Sequence, residues 1–404
     1  MTDHRVLESI VATTDVHSSF DRSLPMLTHL HAVRDRALIV DCGDFFEGSG
    51  YYRLGGGYIE RQALVLLYDV IAPGNHGWRH HLDPDIRSLT VCANTIDAGT
   101  GEPLFRPLHI AEISGRRVGV TAVLGEQAFL TIPLEDRSDH AVLPPVPALQ
   151  ALWHRYAEDV GDWILLSHSG FQSDLALAAA CPFISVIFSG HCHSEQYGPV
   201  RVGDTIVVKG YELSAGYAEA APDGQHWAAR AQIFSEPTGV ADPVARLGAQ
   251  IHALSARLAM PRGTLAMPFR DTPLDRRELL TQIARQLRSH LQVEAVVLNE
   301  TCLRPTPLGS VLLEGDLLTI EPHGNELVYA TLPETRTWDA LLGELALPLG
   351  PLVVARDPRI RQPRQTITTQ YLADTFLGGH WRGPKLPLDQ AVQAVLTGQG
   401  GDAR

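Results

Sequence analysis

The sequence has few cysteines, no long apolar run and fewer basic than acidic residues, and each shortage excludes a class of protein. Its five cysteines among 404 residues are scattered, without a C-x-x-C pair, which argues against a disulfide framework and favours reduced thiols. No stretch approaches the roughly 18 uninterrupted apolar residues of a membrane span. Lys and Arg total 33 against 46 Asp and Glu, whereas a nucleic-acid surface needs a basic stripe. We therefore expect neither a nucleic acid nor a membrane as partner.

The N-terminus also lacks the basic segment and apolar core of a secretory signal. Together with the reduced cysteines, this predicts a cytoplasmic protein. Apolar residues make up 45% and charged residues 20% of the chain, which is ordinary globular composition. The length predicts two or three domains.

Short apolar runs alternate with turns and helical stretches over the first 235 residues. Buried strands are predicted at Ser9–Thr13, Ala37–Asp41, 118–124, 163–167 and 186–189, with later strands at 200–208 and 226–234 that could pair as a hairpin. Helices are predicted at 59–67 and 146–157. This alternation predicts an α/β fold with layered sheets and helices.

A domain boundary is predicted near residue 238, where loop residues precede an amphipathic helix. Asp242 and Pro243 form a typical helix start, and an apolar stripe then continues to Leu258. We expect domains at 1–238 and 264–404, joined by a linker helix within 239–263. In the second domain, a helix is predicted at 276–291, a strand at 295–298 and a loop at 347–364.

Asp, His and Asn residues follow the predicted strands in a fixed order. The motifs are D-x-H, G-D, G-N-H, a single His after 163–167, and G-H-x-H, and their members are Asp15, His17, Asp44, Asn75, His76, His168, His191 and His193. Because strand ends of a layered sheet meet at one edge, we expect these side chains to converge there. Carboxylate, imidazole and amide donors suit two divalent ions. Two adjacent ions need a bridging anion, for which Asp44 is the natural candidate.

These motifs resemble the calcineurin-like metallophosphoesterase superfamily, and the residues after them resemble the second domain of the 5′-nucleotidases. The segments concerned are TTDVHSSF, DCGDFFEG, APGNHG, LLSHSG and SGHCHSE. The resemblance implies a four-layer α/β/β/α sandwich joined by the linker helix to a smaller α/β domain. It implies that one metal is held by Asp15, His17, Asp44 and His193, and a second by Asp44, Asn75, His168 and His191. The metals would be Mn, Zn, Fe, Co or Ca, which have overlapping ligand preferences.

The resemblance also gives His76 a catalytic role beside Asp44, in stabilising phosphoryl oxygens or protonating the leaving oxygen. 5′-Nucleotidases usually continue G-N-H-E-F-D, with the final Asp orienting the histidine, whereas this chain has Arg79 at that position. An adjacent guanidinium would disfavour the charged imidazole and cannot accept its N–H. The nearby acidic and imidazole groups that could compensate are His80, His81, Asp83 and Asp85.

The second domain matches the family more loosely. The resemblance implies that the substrate is bound by Arg270, Asn299, Arg304, His323 and Tyr371. Asn299 and Arg304 keep the end positions of an N-G-G-x-x-R-like segment that has lost its glycines. His323 replaces a stacking Phe, and Tyr371 supplies the second ring.

The sequence therefore predicts a dinuclear-metal phosphohydrolase that acts on a nucleotide or nucleotide-like phosphomonoester through a metal-bound hydroxide. The alternatives are a hydrolase of cyclic nucleotides or sugar phosphates, and a non-catalytic descendant that binds metal and phosphate. The partner is expected to be a small-molecule phosphoester, and the oligomeric state is left open.

Overall fold

A computed structural model describes residues 5–333 and 335–399 of the chain. These residues form two compact units, of which the first comprises residues up to Glu47 together with Gly57–His252. The second comprises Gly48–Gly56 and the residues from Ala253 onward. The division falls within one long helix, at residues 242–258.

The elements are numbered in chain order. The strands are β1 (Ser9–Thr13), β2 (Ala37–Asp41), β3 (Val70–Ile71), β4 (Thr95–Asp97), β5 (His109–Ile113), β6 (Arg116–Leu124), β7 (His140–Val142), β8 (Asp162–His168), β9 (Ile184–Ser189), β10 (Val200–Val202), β11 (Thr205–Lys209), β12 (Gly216–Asp223), β13 (His226–Ile233), β14 (Pro261–Thr264), β15 (Ala295–Asn299), β16 (Val311–Leu313), β17 (Glu326–Thr331), β18 (Leu352–Arg356), β19 (Gln365–Thr369) and β20 (Trp381–Pro387). The helices are α1 (Leu24–Val33), α2 (Gly50–Gly55), α3 (Tyr58–Leu67), α4 (Pro84–Leu89), α5 (Glu126–Thr131), α6 (Leu134–Arg137), α7 (Pro145–Tyr156), α8 (Phe171–Ala180), α9 (Asp242–Leu258), α10 (Arg276–Leu291), α11 (Glu314–Ile320), α12 (Trp338–Leu349), α13 (Gln370–Phe376) and α14 (Leu388–Leu396).

The first unit is the expected four-layer α/β/β/α sandwich. Its two large sheets have the strand orders β13-β12-β1-β2-β3 and β10-β11-β9-β8-β6-β5. Apolar residues of both sheets form one core, with Ile10 and Val40 from the first sheet and Val120 and Ile164 from the second. Every residue of β1 and β2 is buried, as expected for strands covered on both faces. Helices α7 and α8 cover the outer face of the second sheet.

The second unit has a five-stranded sheet in the order β18-β15-β19-β17-β20, with helices on both faces. One face packs against α10 and α14 and the other against α12 and α13. Strands β15 and β19 are parallel neighbours. Their carboxyl ends therefore lie at the same edge of the sheet.

Most predicted elements are present, and two predictions about local structure are wrong. The strands at 200–208 and 226–234 do not pair with each other, because β13 pairs with the unpredicted β12. The expected loop at 347–364 contains β18, an edge strand whose alternating exposure weakens its apolar signal. The linker helix ends at Leu258, within the predicted range, and β14 follows it and pairs with β16.

The structure also bears on membrane insertion. Within the described ranges, no helix has both the length and the apolar character needed to cross a bilayer.

Candidate metal centre

The residues with metal-binding side chains lie where strands of the first unit end. Asp15 and Asp44 follow the parallel strands β1 and β2. His168 is the last residue of β8, and His191 follows the parallel neighbour β9. Each side chain therefore begins at the carboxyl end of a strand, which is the edge where loop-borne sites are built in α/β folds.

The structure brings all seven predicted metal ligands together. Three groups have their candidate ligand atoms within 4.8 Å of one another, and they are Asp15 with His17 and His193, His17 with Asp44 and His76, and Asp44 with His168 and His191. Asn75 joins them because its Oδ1 lies 3.2 Å from Nε2 of His168. Asp44 and His17 each belong to two groups, so the three groups form one continuous cluster.

Glycine is required beside this cluster because the loops approach very closely. A Cβ atom on Gly74 would lie 2.1 Å from Oδ1 of Asp44, and one on Gly43 would lie 2.6 Å from Nδ1 of His168. A Cβ atom on Gly190 would lie 2.6 Å from the Thr14 hydroxyl. Any other residue at Gly74 would displace the Asp44 carboxylate.

Four of the clustered residues have left-handed backbone conformations. The φ angles are +48° at Asp15, +50° at His17, +57° at Asp44 and +75° at His191. Such conformations are uncommon outside glycine and cost free energy, and they concentrate at functional sites. The fold therefore maintains an unfavourable backbone at the residues that carry the donor atoms.

Burial and mutual charge shift the pKa values of the clustered groups in opposite directions. Burial acts to raise the pKa of Asp44, but the imidazolium charges of His168 and His76 hold it well below its ordinary value. Burial acts to lower the pKa of His168, but Asp44 raises it to about 9. Burial lowers the pKa of His191 to about 3. A low pKa keeps His191 neutral, which is the form that binds metals.

The donor set fits divalent metal ions. Two carboxylates, four imidazoles and one amide oxygen are available from Asp15, Asp44, His17, His168, His191, His193 and Asn75. Borderline divalent ions such as zinc, manganese and iron take this combination. The buried carboxylate of Asp44 also lies 3.3 Å from Nε2 of His168 and 3.7 Å from Nε2 of His17. Its position among the donors is the one expected of a shared ligand.

His193 has an acidic partner that the sequence did not suggest. Its Nδ1 atom lies 2.5 Å from Oε2 of Glu212, and this leaves the other ring nitrogen for a metal. The fully buried Lys209 donates to Glu212 and to the backbone carbonyls of Cys192 and Ser194, on either side of His193. Partners of this kind orient metal-binding histidines. No local sequence pattern indicates Glu212 or Lys209 as partners of this loop, because the loop that follows β11 brings Glu212 back to residues 191–194.

His76 also finds its acidic partner in an unexpected place. Oε2 of Glu47 lies 3.1 Å from Nδ1 of His76, and Glu47 precedes His76 in the chain, whereas the predicted compensating groups all follow it. Arg79, which was expected to disturb His76, instead contacts Asp136 and Glu135. The only sequence signal for Glu47 is that it lies three residues after Asp44.

The proposed compensating groups next to Arg79 are engaged elsewhere. Asp83 and Asp85 both pair with Arg61, and Nδ1 of His81 lies 3.1 Å from the Thr90 hydroxyl. The ring of His80 stacks on Phe46 with a centroid separation of 4.4 Å.

Four of the five predicted substrate residues lie near strand ends of the second unit. Asn299 is buried at the end of β15, and Tyr371 is the second residue of α13, just after the parallel strand β19. The backbone N–H of Arg304 donates to the carbonyl of Ile320, which places it beside the loop that carries the exposed His323. Arg270 is exposed and pairs with the neighbouring Asp271.

Comparison with known proteins agrees with this geometry. Residues 9–195 match the calcineurin-like phosphoesterase family. They contain β1 to β9 and every residue of the clustered donor set. Residues 9–195 therefore form a calcineurin-like phosphoesterase domain.

Curated relatives match the first half of the chain. The 5′-nucleotidase of Rattus norvegicus is 26% identical over 227 residues, which cover 47% of this chain and 38% of that protein. The trifunctional nucleotide phosphoesterase YfkN of Bacillus subtilis is 23% identical over 235 residues, or 46% of this chain and 16% of that protein. The aligned region thus spans well under half the length of these relatives.

Solved structures share the fold along nearly the whole chain. A 5′-nucleotidase precursor from Thermus thermophilus superposes with a TM-score of 0.74 at 18% identity, covering 97% of this chain and 96% of that one. The sulfate thiohydrolase SoxB from the same organism gives a TM-score of 0.73 at 17% identity, covering 97% and 94%. Proteins named for different activities thus share this fold, so the fold alone does not identify the substrate.

Proposed function

We propose that this protein is a metal-dependent phosphohydrolase that removes phosphate from a nucleotide or nucleotide-like phosphomonoester. The observation that carries the proposal is the convergence of seven donor side chains at one strand edge of a calcineurin-like phosphoesterase domain. The 5′-nucleotidase relatives support the choice of a phosphomonoester.

Two metal ions fit the donor set better than one. Asp15, His17 and His193 would hold one ion, and Asn75, His168 and His191 would hold the other, with Asp44 shared. When bound, a divalent pair supplies an activated water and neutralises charge on the phosphoryl group. The low pKa of Asp44 keeps this carboxylate ionised and able to hold the pair.

His76 would act on the substrate. Its backbone N–H donates to Oδ1 of Asp44 at 2.8 Å, and its ring meets that of His17 edge-on at 4.9 Å. An imidazole beside the donor cluster can stabilise phosphoryl oxygens or give a proton to the leaving oxygen. His76 would therefore be a catalytic residue.

The second unit would recognise the rest of the substrate. Asn299, Arg304, His323 and Tyr371 would provide polar and ring contacts for a sugar and a base. A planar guanidinium suits phosphate or ribose oxygens. Because His323 replaces a phenyl ring, a nucleotide-like compound from a specialised pathway fits better than an ordinary nucleoside monophosphate.

Phosphate release tests this proposal directly. The full chain with added Mn²⁺ would be assayed on an aryl phosphate, AMP, GMP, UMP, cyclic nucleotides and several sugar phosphates. We expect turnover of the aryl phosphate and a clear preference for one nucleotide-like monoester.

Two variants make the test specific. Asp44→Ala removes the shared carboxylate and should lower both metal content and turnover by more than about 100-fold, because even outer-shell partners are worth about 10–100-fold. Glu126→Ala removes an exposed carboxylate on α5 and should change neither the metal content nor the turnover. Metal binding by elemental analysis without phosphate release from any compound would favour a non-catalytic metal- and phosphate-binding protein.

A further inference from the structure

The carboxylate of Glu47 lies beside the imidazole that the proposed reaction uses. Oε2 of Glu47 is 3.1 Å from Nδ1 of His76, and their side chains are 30% and 20% exposed. We propose that Glu47 is the positioning residue that orients His76 for phosphoester hydrolysis. This inference rests on the function proposed above.

The backbone around Glu47 is built for this contact. Glu47 has a φ angle of +62°, a conformation that costs free energy for a residue with a side chain and persists only where its surroundings require it. A Cβ atom on Gly77 would lie 2.4 Å from Cβ of Phe46. The absence of a side chain at position 77 therefore lets the two loops approach closely enough for Glu47 to reach His76.

The segment 44–47 holds His76 at two separate points. Oδ1 of Asp44 accepts the backbone N–H of His76 at 2.8 Å, while Glu47 accepts from the ring. One contact fixes the main chain and the other fixes the rotation of the imidazole. The two acceptors lie on one tight loop, so they restrain His76 as a unit.

The basic residue nearest to His76 in the sequence does not compete for Glu47. Arg79 contacts Asp136 and Glu135 on the α6 segment. Its charge is thus balanced by two other carboxylates, and the carboxylate of Glu47 remains directed at the imidazole.

The contact has a defined chemical consequence. When the Nδ1–H of His76 donates to a carboxylate, Nε2 is the nitrogen left to face the substrate. Glu47 would therefore act through His76 without touching the substrate. In the G-N-H-E-F-D pattern that this chain resembles, the acidic residue comes after the histidine, whereas here it precedes it by 29 residues.

Kinetics of Glu47 variants test the proposal. We expect kcat for the aryl phosphate to fall about 10- to 100-fold in Glu47→Ala, with KM and metal content unchanged. The kcat of Glu47→Gln should fall less, because its amide oxygen can still accept the Nδ1–H. Glu135→Gln, which alters a carboxylate that contacts Arg79 instead, should match the wild type.

A double-mutant cycle distinguishes action through His76 from a general structural role. Glu47→Ala should cause no further loss in a His76→Ala background, because the group that it orients is gone. Additive losses would overturn the proposal, as would a Glu47→Ala variant with the kcat of the wild type.

A spectroscopic measurement keeps the inference separate from the proposed function. Histidine-selective ¹⁵N NMR of the metal-free protein, with His76 assigned from the His76→Ala spectrum, should show Nδ1 protonated in the wild type. The tautomer balance should shift in Glu47→Ala but not in Glu135→Gln. An unchanged His76 signal overturns the contact whether or not the enzyme is active, whereas an inactive wild type with the expected signal refutes only the proposed function.

Discussion

Nδ1 of His193 lies 2.5 Å from one carboxylate oxygen of Glu212, and the other oxygen of Glu212 lies 2.5 Å from Nζ of Lys209. Burial acts to raise the pKa of Glu212, but the hydrogen bonds from His193 and Lys209 lower it below its ordinary value. A single carboxylate therefore connects a fully buried cation to a candidate metal ligand. Its negative charge favours a His193 ring whose second nitrogen is free to bind metal.

Glu212→Gln should weaken metal binding. The amide preserves the shape of the side chain and removes its charge, so His193 loses its fixed orientation. We expect metal affinity to fall about 10- to 100-fold, as measured by titration calorimetry of the metal-free protein. Glu219→Gln on β12, a carboxylate that pairs with Arg230, is the matched control. Equal affinities in the two variants would refute a role for Glu212 at the metal centre.

Gly74→Ala should disrupt the site by direct collision. The added methyl group would lie 2.1 Å from Oδ1 of Asp44 and 2.3 Å from its backbone nitrogen, so the shared carboxylate must move. We expect loss of most bound metal by elemental analysis, with the far-ultraviolet circular dichroism preserved. Gly239→Ala, where an added Cβ meets no atom within 4 Å, should retain its metal. Full metal content in Gly74→Ala would show that the loop can relax without cost.

Asp174 on α8 should make stability depend on pH. Burial raises its pKa from 3.8 to about 7, against the lowering effect of the hydrogen bond from Ser167. The folded state thus keeps a proton that the unfolded chain releases near pH 4. Its contribution to stability is complete below pH 4 and is lost as the pH rises through about 7.

Replacing Asp174 with an uncharged isostere isolates this effect. The unfolding free energy of Asp174→Asn minus that of the wild type should increase between pH 5 and pH 7 and then level off. Urea unfolding of the metal-free proteins at pH 5, 6, 7 and 8 measures it. Glu126→Gln on the exposed side of α5 serves as the control. A constant difference across this range would mean that Asp174 is already ionised in the folded state at pH 5.

Arg53→Ala should destabilise the second unit. Nη1 of Arg53 on α2 lies 3.2 Å from Oε2 of the fully buried Glu321, which also accepts hydrogen bonds from Gly324 and Asn325. Loss of one donor to a buried carboxylate costs about 1–3 kcal/mol.

Hydrogen exchange can locate that loss. Amide protection in peptides that cover β15 and β19 should decrease in Arg53→Ala, while protection in β8 and β9 should not change. Arg22→Ala, at an exposed position of the first unit, is the control. Unchanged protection of the second unit would show that residues 48–56 contribute little to its stability.

Elements of both units could be predicted because their signals are local. Ser9–Thr13 and Ala37–Asp41 are short apolar runs that the structure shows as β1 and β2, with the predicted bounds. The helix at α10 also has the predicted limits, since Asp275 caps it at one end. Asp15 and Asp44 follow such strands, and parallel strands end at one edge, so their proximity could be inferred without coordinates.

The failed predictions concern elements with weak local signals. Strand β18 lies at a sheet edge with alternating exposure and neighbouring prolines, so its sequence is that of a loop. Strand β12 was missed, and with it the true partner of β13. Strand β18 pairs with β15 and strand β12 pairs with β1, and a pairing strand that is distant in sequence leaves no local pattern.

The amino-acid sequence determines which side chains are the candidate metal donors, which strands precede them and that they converge at one edge. It does so because strand periodicity and residue chemistry are properties of short segments. The groups that surround those donors depend instead on the folded chain. Glu47 reaches His76 across 29 residues and Glu212 reaches His193 across 19, and residues 48–56 belong to the second unit. Such contacts form only when folding brings separate loops together. Left-handed backbone turns and glycines permit this close approach, and no spacing along the chain encodes it.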